Sequence, residues 1–341
     1  MVDLREIKIS DLIGLNIGFF TPMNGGKTRA MVGELERTIH SGFNAVAYNP
    51  ITNKRDGSFL VVDGRYKFPA IQKENITSIK DDLERRREII FSKKRRYSGE
   101  NGKINVMGVM HTKFTPLVAY GVDELNLFCL TEKDTEEVVE FMQWSKRNEF
   151  VGLFSGLLHD FRHRKFGYVN LAYDRMDIRQ EKKPVCKAVH GKQCGKPAIH
   201  TQRLWSLDFA KELGLGDYLD EMEIFDYATK EGEIVCGQYV PAPFFDKTVN
   251  VEDTGNGELI YLPVCDSCAR VPFKEEVFEN YRSFAEGLKP IVEMEGLENE
   301  VVKFLLGENW IRKVRDDKGN VIGREAVPFY RNSLGGFSPL E

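Results

Sequence analysis

Gly25-Gly26-Lys27-Thr28 is the stretch of this chain whose residue types best suit holding a polyphosphate. Glycines let backbone N–H groups turn inward around an anion, and the N-terminus of a following helix adds partial positive charge. A lysine then reaches the outer phosphates and a hydroxyl holds Mg²⁺. Against the pattern G-x-x-x-x-G-K-[ST], Gly26, Lys27 and Thr28 fit; Thr21 stands where the first glycine belongs, with Pro22, Met23, Asn24 and Gly25 between. A turn leading into a helix cap reads the same way in so short a segment. Further on, Asp123-Glu124 directly follow the apolar run Pro116 to Val122. A carboxylate at the C-terminal end of a strand is where a phosphate-bound Mg²⁺ needs one, although an acidic pair there also starts helices.

Thiols are the second chemical resource. Cys265-Asp266-Ser267-Cys268 is a C-x₂-C knuckle, and Cys186 and Cys194 are separated by seven residues that include Gly191. Four thiolates from two such hairpins suit tetrahedral Zn²⁺. His190, inside the wider pair, is a competing ligand, and two unrelated reduced pairs are the alternative. Cys129 and Cys236 each follow apolar residues and read as core or strand cysteines. Six cysteines in 341 residues point to reduced thiols or metal ligands, not to a disulfide framework.

The elements that must position these groups are partly legible. Leu15 to Phe20 is an apolar run that predicts a buried strand; Lys27 to about Ser41 is a helical pattern closed by Gly42. Phe43 to Tyr48 predicts a second strand that stops at Asn49-Pro50, so strand, helix and strand form a βαβ unit and a parallel sheet is expected. Asn105 to Met110 is another strand candidate. Thr131 to Asn148 reads as an amphipathic helix, followed by a strand at Phe150 to Leu157 and a polar, aromatic-flanked loop from His159 to Gly167. The segment Asp81 to Arg96, with Arg85-Arg86-Arg87, is either a solvated helix or a phosphate or nucleic-acid patch.

The length suits about two compact units. A formal charge of −4 argues against a surface that coats nucleic acid generally. No apolar run approaches the roughly 18 residues a membrane helix needs, and the first residues carry no secretory pattern. The expectation is a cytoplasmic protein with no membrane partner.

In this order the motifs resemble the thymidine kinase family whose members carry a zinc-stapled lasso. Thr21 to Thr28 is similar to that family's phosphate loop, and Asp123-Glu124-Leu125-Asn126-Leu127-Phe128 looks like its Asp-Glu segment. Gly156 to Phe166 resembles its Gly-Leu-x-x-Asp-Phe loop, while Cys194 to Arg203 and Tyr261 to Cys268 resemble its knuckles. The resemblance covers roughly residues 14–72 and 115–270. It implies an α/β fold: a P-loop, RecA-like parallel sheet flanked by helices (1–172, with 73–114 an insertion), an enlarged zinc-binding lasso (173–270) and a helical C-terminal extension (271–341), with helices expected from Lys274 to Leu288 and Pro290 to Leu306.

By the same resemblance the chain would phosphorylate the 5′-hydroxyl of a pyrimidine deoxynucleoside with ATP. Glu124 would be the base, Lys27 and Arg55 would meet developing charge, and Thr28 and Asp123 would serve Mg²⁺. Phe128, Phe161 and Phe166 would line the nucleoside slot, covered by Tyr261 and the backbone of Asn256 and Gly257. Cys186, Cys194, Cys265 and Cys268 would hold Zn²⁺. Members usually form homo-tetramers. Thr21 for glycine, and Asn53-Lys54-Arg55 in place of Asp-x-Arg, are departures. They leave open a nucleotide-binding relative that has lost turnover, and the Arg85 to Arg96 run leaves open an enzyme acting on nucleic acid.

Overall fold

The computed structural model describes residues 3–53, 57–62, 64, 66–97, 116–246, 257–287, 289–290, 296–327, 329–331 and 337–339. The strand candidate at Asn105 to Met110 therefore lies outside the described residues. Contacts divide the chain into two compact units, residues 1–160 with 164–184, and residues 161–163 with 185–341.

The first unit is an α/β layer structure. Its strands are β1 (Asn16–Phe20), β2 (Asn44–Pro50), β3 (Ile71–Lys73), β4 (Leu117–Val122), β5 (Val151–Gly156) and β6 (Ile178–Glu181). They form one six-stranded sheet in the order β3-β2-β4-β5-β1-β6, with every pairing parallel. The expected parallel α/β architecture is the one observed.

Alternation along the strands builds two cores. Ile17, Phe19, Ala47, Ala119 and Leu153 pack with Met31, Val32 and Leu35 of α1 (Lys27–His40). Their neighbours Phe20, Tyr48, Tyr120, Val122 and Phe154 pack instead with Ile76, Ile79 and Leu83 of α2 (Ile76–Tyr97) and Val138, Phe141 and Met142 of α3 (Glu132–Arg147). A period of two in the strands thus meets a period near 3.6 in the helices on both faces. Thr131 and Asp134 close a capping box at the start of α3, a device worth about 1 kcal/mol.

The basic run has a structural role at its described end. Asp82, buried on α2, pairs with Arg86 at 2.6 Å and with Arg85, and accepts a bond from the Tyr48 hydroxyl at 2.9 Å. Arg87 bonds Asn148. Arg85 and Arg86 thus pair within α2 itself, while Asp82 through Tyr48 and Arg87 through Asn148 fasten the helix to its neighbours, in line with the solvated-helix reading.

In the second unit, β7 (His200–Ser206) lies between β8 (Tyr239–Pro241) and β9 (Leu259–Val264), antiparallel to both. Trp205, Phe244, Phe245, Phe273, Phe304 and Trp310 share one apolar cluster with α4 (Lys274–Ala285) and α5 (Gly296–Gly307). The C-terminal segment and the cysteine-bearing segment therefore build a common core. The helices expected there are shorter than the sequence suggested, and a hairpin of β10 (Ile311–Arg315) and β11 (Val321–Ala326) follows them. Its tip is the Asp316–Asn320 turn, whose residues Asp317, Gly319 and Asn320 are of turn-forming types. Among the described residues no helix is long and apolar enough to cross a membrane.

Candidate functional site

Strand order brings three carboxyl ends side by side. β4, β5 and β1 are consecutive in the sheet, so Asp123, Ser155 and the loop leaving Phe20 share its C-terminal edge. In open α/β sheets this is the edge where ligands bind.

The loop from Thr21 to Gly26 turns tightly before α1. Gly26 has φ of +83°, a left-handed backbone that a glycine adopts without steric cost. The Gly25 N–H donates to the Pro22 carbonyl at 2.9 Å, and the Thr21 hydroxyl donates to the same oxygen at 2.8 Å. Thr21 thereby lies against Gly25 so closely that a Cβ on Gly25 would fall 1.7 Å from the threonine Oγ1. The bulk added at position 21 is accommodated by the absence of a side chain at position 25. Gly25→Ala is accordingly expected to spoil the loop and, on the phosphate-loop reading, to lower nucleotide affinity at least tenfold, about 1.4 kcal/mol. Titration calorimetry checks this, and Thr21→Gly in the same chain is expected to restore binding only in part, because the Pro22 carbonyl oxygen would still lie 2.8 Å from the added Cβ.

The acidic pair faces this loop. Lys27 Nζ lies 2.8 Å from Glu124 Oε1, and both side chains are largely buried. The Thr28 hydroxyl donates to the Asp123 carboxylate at 3.0 and 3.2 Å, and the Ser155 hydroxyl donates to its Oδ1. Asp123 is anchored at its backbone as well, its N–H reaching the Tyr48 carbonyl at 3.0 Å. Glu124 has φ and ψ of 48°, a left-handed conformation costing a non-glycine residue on the order of 1 kcal/mol. That backbone turns its carboxylate toward Lys27.

Burial raises the Asp123 pKa above the ordinary carboxylate value, and the charge of Glu124 adds to the effect. Lys27 and the two hydroxyls act in the opposite direction without overcoming it. An acid whose folded pKa is raised binds protons more readily folded than unfolded. Its contribution to stability therefore falls as pH rises from the unfolded value through the folded one, and the deficit persists at neutral pH. Asp123→Asn is expected to raise the melting temperature at neutral pH and, on the phosphate-loop reading, to weaken Mg²⁺-dependent nucleotide binding. Calorimetry with and without Mg²⁺ checks both; a lower melting point would mean the charged form is held favourably.

The four sulfurs of Cys186, Cys194, Cys265 and Cys268 lie within 4.8 Å of one another, and no disulfide joins them. Cys194 and Cys265 are 3.8 Å apart, close to the edge of a sulfur tetrahedron around a metal with Zn–S of about 2.3 Å. Local chain geometry explains the convergence. Gly191 (φ +75°) turns the hairpin in which His190 pairs with Lys192, the Cys194 N–H donates to the Ala188 carbonyl and the Cys186 N–H to that of Lys196. The second pair sits on a tight turn closed by the Cys268 N–H on the Cys265 carbonyl, immediately after β9. Burial opposes ionisation of Cys265, but hydrogen bonds from Ser267 and the neighbouring thiols prevail and bring it down to about 6. His190 Nε2 lies 3.3 Å from the Cys268 sulfur, outside the set of four. The donor set and its spacing fit a metal such as zinc.

No protein-family model matches the chain, and no curated protein matches it either.

Of the other expected site residues, Phe128 and Phe166 are buried in the α2–α3 core of the first unit. Phe161 and Tyr261 belong to the second unit, where the Arg203 guanidinium lies 5.1 Å from the Phe161 ring and 5.5 Å from that of Tyr261. Arg203 is itself fully buried and paired with Asp246 at 3.1 Å. The Gly257 carbonyl accepts a bond from the Tyr239 hydroxyl at 2.8 Å. Arg55 and Asn256 lie outside the described residues. Asn53 is fully buried, and its side-chain amide donates to the side-chain Oδ1 of Asn49 at 3.2 Å, so an amide–amide contact stands where the resembled family has a carboxylate. Cys129 is buried, whereas Cys236 is exposed. The expectation of a core or strand position for Cys236 fails because the surface strand Ile234–Val235 ends just before it, with Ile234 itself exposed.

Sequence reading passed over Ser155. Its signal was a lone hydroxyl near the end of a strand that is otherwise apolar or glycine, Val151-Gly152-Leu153-Phe154-Ser155.

Proposed function

We propose that the chain is a nucleoside kinase of the thymidine kinase type, transferring the γ-phosphoryl group of ATP to the 5′-hydroxyl of a deoxynucleoside, with a pyrimidine as the expected base. The observation that carries the proposal is the meeting of Lys27 and Thr28 with Asp123 and Glu124 at one sheet edge. Phosphoryl transfer asks little covalent chemistry of a protein; it needs phosphate positioning, charge neutralisation and a residue that takes the proton of the acceptor.

Each requirement has a candidate. Backbone N–H groups of the Thr21 to Gly26 loop and the ammonium of Lys27 cradle phosphate oxygens. Thr28 and Asp123 would hold Mg²⁺, which when bound neutralises charge on the bridging oxygens. Ser155 fixes the Asp123 carboxylate, and Glu124 accepts the proton of the attacking hydroxyl. The thiol cluster supports the same reading, since the resembled family pairs its phosphate loop with a cysteine-held zinc. The pairing of Arg85 and Arg86 with Asp82 gives two cations of that run a partner within their own helix, which weakens the nucleic-acid alternative.

The deciding experiment is a screen of γ-labelled phosphate transfer from ATP across the deoxynucleosides, with zinc quantified on the same sample. Transfer to one pyrimidine nucleoside well above the others supports the proposal. Nucleotide binding without transfer to any nucleoside would favour the relative that has lost turnover.

A further inference from the structure

The groups expected to bind phosphate are engaged by the groups expected to do chemistry. Lys27 is held by Glu124 at 2.8 Å, and the Thr28 hydroxyl by Asp123 at 3.0 Å. Both members of the ion pair are largely withdrawn from water, with side-chain exposures of 8% and 12%. A carboxylate bonded to an ammonium is a poor acceptor for a substrate proton, and an ammonium bonded to a carboxylate is a poor phosphate ligand. The left-handed backbone of Glu124 is independent evidence that this pairing is built into the site, because the carboxylate reaches Lys27 from a conformation a glutamate rarely adopts. The Asp123 contact differs: Ser155 also holds that carboxylate, from a neighbouring strand, so Asp123 stays in place if Thr28 turns away.

We propose that the Lys27–Glu124 and Thr28–Asp123 contacts form a latch which the phosphates of a nucleoside di- or triphosphate open, Lys27 passing from Glu124 to phosphate oxygens and Glu124 thereby becoming free to act as a base. Rested on the kinase reading, this makes phosphate binding and activation of the base a single event. The acceptor hydroxyl meets a competent base only when the phosphate donor is present. Donor binding in turn works against an existing ion pair, so the resting affinity for phosphates is lower than the loop alone would give.

The test is binding, not turnover. Calorimetry with Mg²⁺ and either ADP or a non-hydrolysable ATP analogue compares the unaltered chain with Glu124→Gln and Glu124→Gly. The first keeps the side-chain shape and removes the charge; the second removes the side chain and suits the left-handed backbone, so a folding defect in one leaves the other informative. Both are expected to bind the two probes roughly tenfold more tightly, the scale on which removal of one competing contact shows. Equal or weaker binding by both folded variants, beside clear binding by the unaltered chain, overturns the latch alone. Failure of the unaltered chain and of both variants to bind either probe overturns the nucleotide site itself, and the latch with it.

Discussion

Stripping metal from the four-thiol cluster is expected to unfold the part of the second unit that the cluster ties together, and Cys265→Ser is expected to do the same. The apolar residues gathered around the sulfurs are few, chiefly Ala188, Ala198, Leu204, Phe225, Tyr227 and Val264, and several are small. The connections across this region are two-residue strands such as Val189–His190 with Lys192–Gln193 and Tyr227–Ala228 with Ile234–Val235. Such pieces do not hold themselves together in water. A structural Zn²⁺ site contributes an apparent ~10–16 kcal/mol in small zinc peptides at neutral pH, comparable to the whole stability of a domain. The aromatic core around Phe244, Phe304 and Trp310 is a cluster separate from the one around the sulfurs, so α4 and α5 should survive better than residues 186–199 and 225–239. Limited proteolysis of chelator-treated protein, with zinc quantified, should therefore show early cuts confined to those two segments. Identical cleavage patterns before and after complete zinc removal would show that the cluster does not hold the fold.

Rare residues explain why this centre was legible at all. The thiols of Cys194 and Cys265 are 71 positions apart, and no local pattern predicts their meeting; their scarcity and the C-x₂-C spacing do. The βαβ start was legible for another reason, since β1 and β2 are apolar runs and α1 between them carries a helical pattern bounded by Gly26 and Gly42. Short edge strands escaped. β3 has three residues, all half-buried, and β6 reads Ile178-Arg179-Gln180-Glu181, too polar to distinguish from loop. The β10–β11 hairpin escaped likewise, because Arg312, Lys313 and Arg315 leave little apolar alternation while its turn is plain. In the site itself, Lys27, Thr28, Asp123 and Glu124 stood out by motif. Ser155 did not, since a serine in a strand carries meaning only once β5 is known to lie between β1 and β4.

On the kinase reading proposed above, the largest catalytic effect is expected at Glu124. A residue that removes the acceptor proton in the transition state contributes roughly 10²–10⁴-fold, and Glu124→Gln keeps size and hydrogen-bonding capacity while losing basicity. Turnover should fall by that range with the KM for the nucleoside little changed, because a base acts on the transition state and not on substrate binding. The same substitution releases Lys27 from its ion pair, so the donor nucleotide should bind no more weakly than before. A merely structural role for Glu124 predicts another pattern: without the Lys27 contact the loop would loosen, and affinity for nucleotide would drop together with turnover. Lys27→Ala supplies the contrast, since removing the ammonium should weaken nucleotide binding and transfer alike. Single-turnover measurement with saturating nucleotide separates the cases. Near-normal transfer by Glu124→Gln under those conditions would remove Glu124 as the base and leave Asp123 as the carboxylate to be tested in its place.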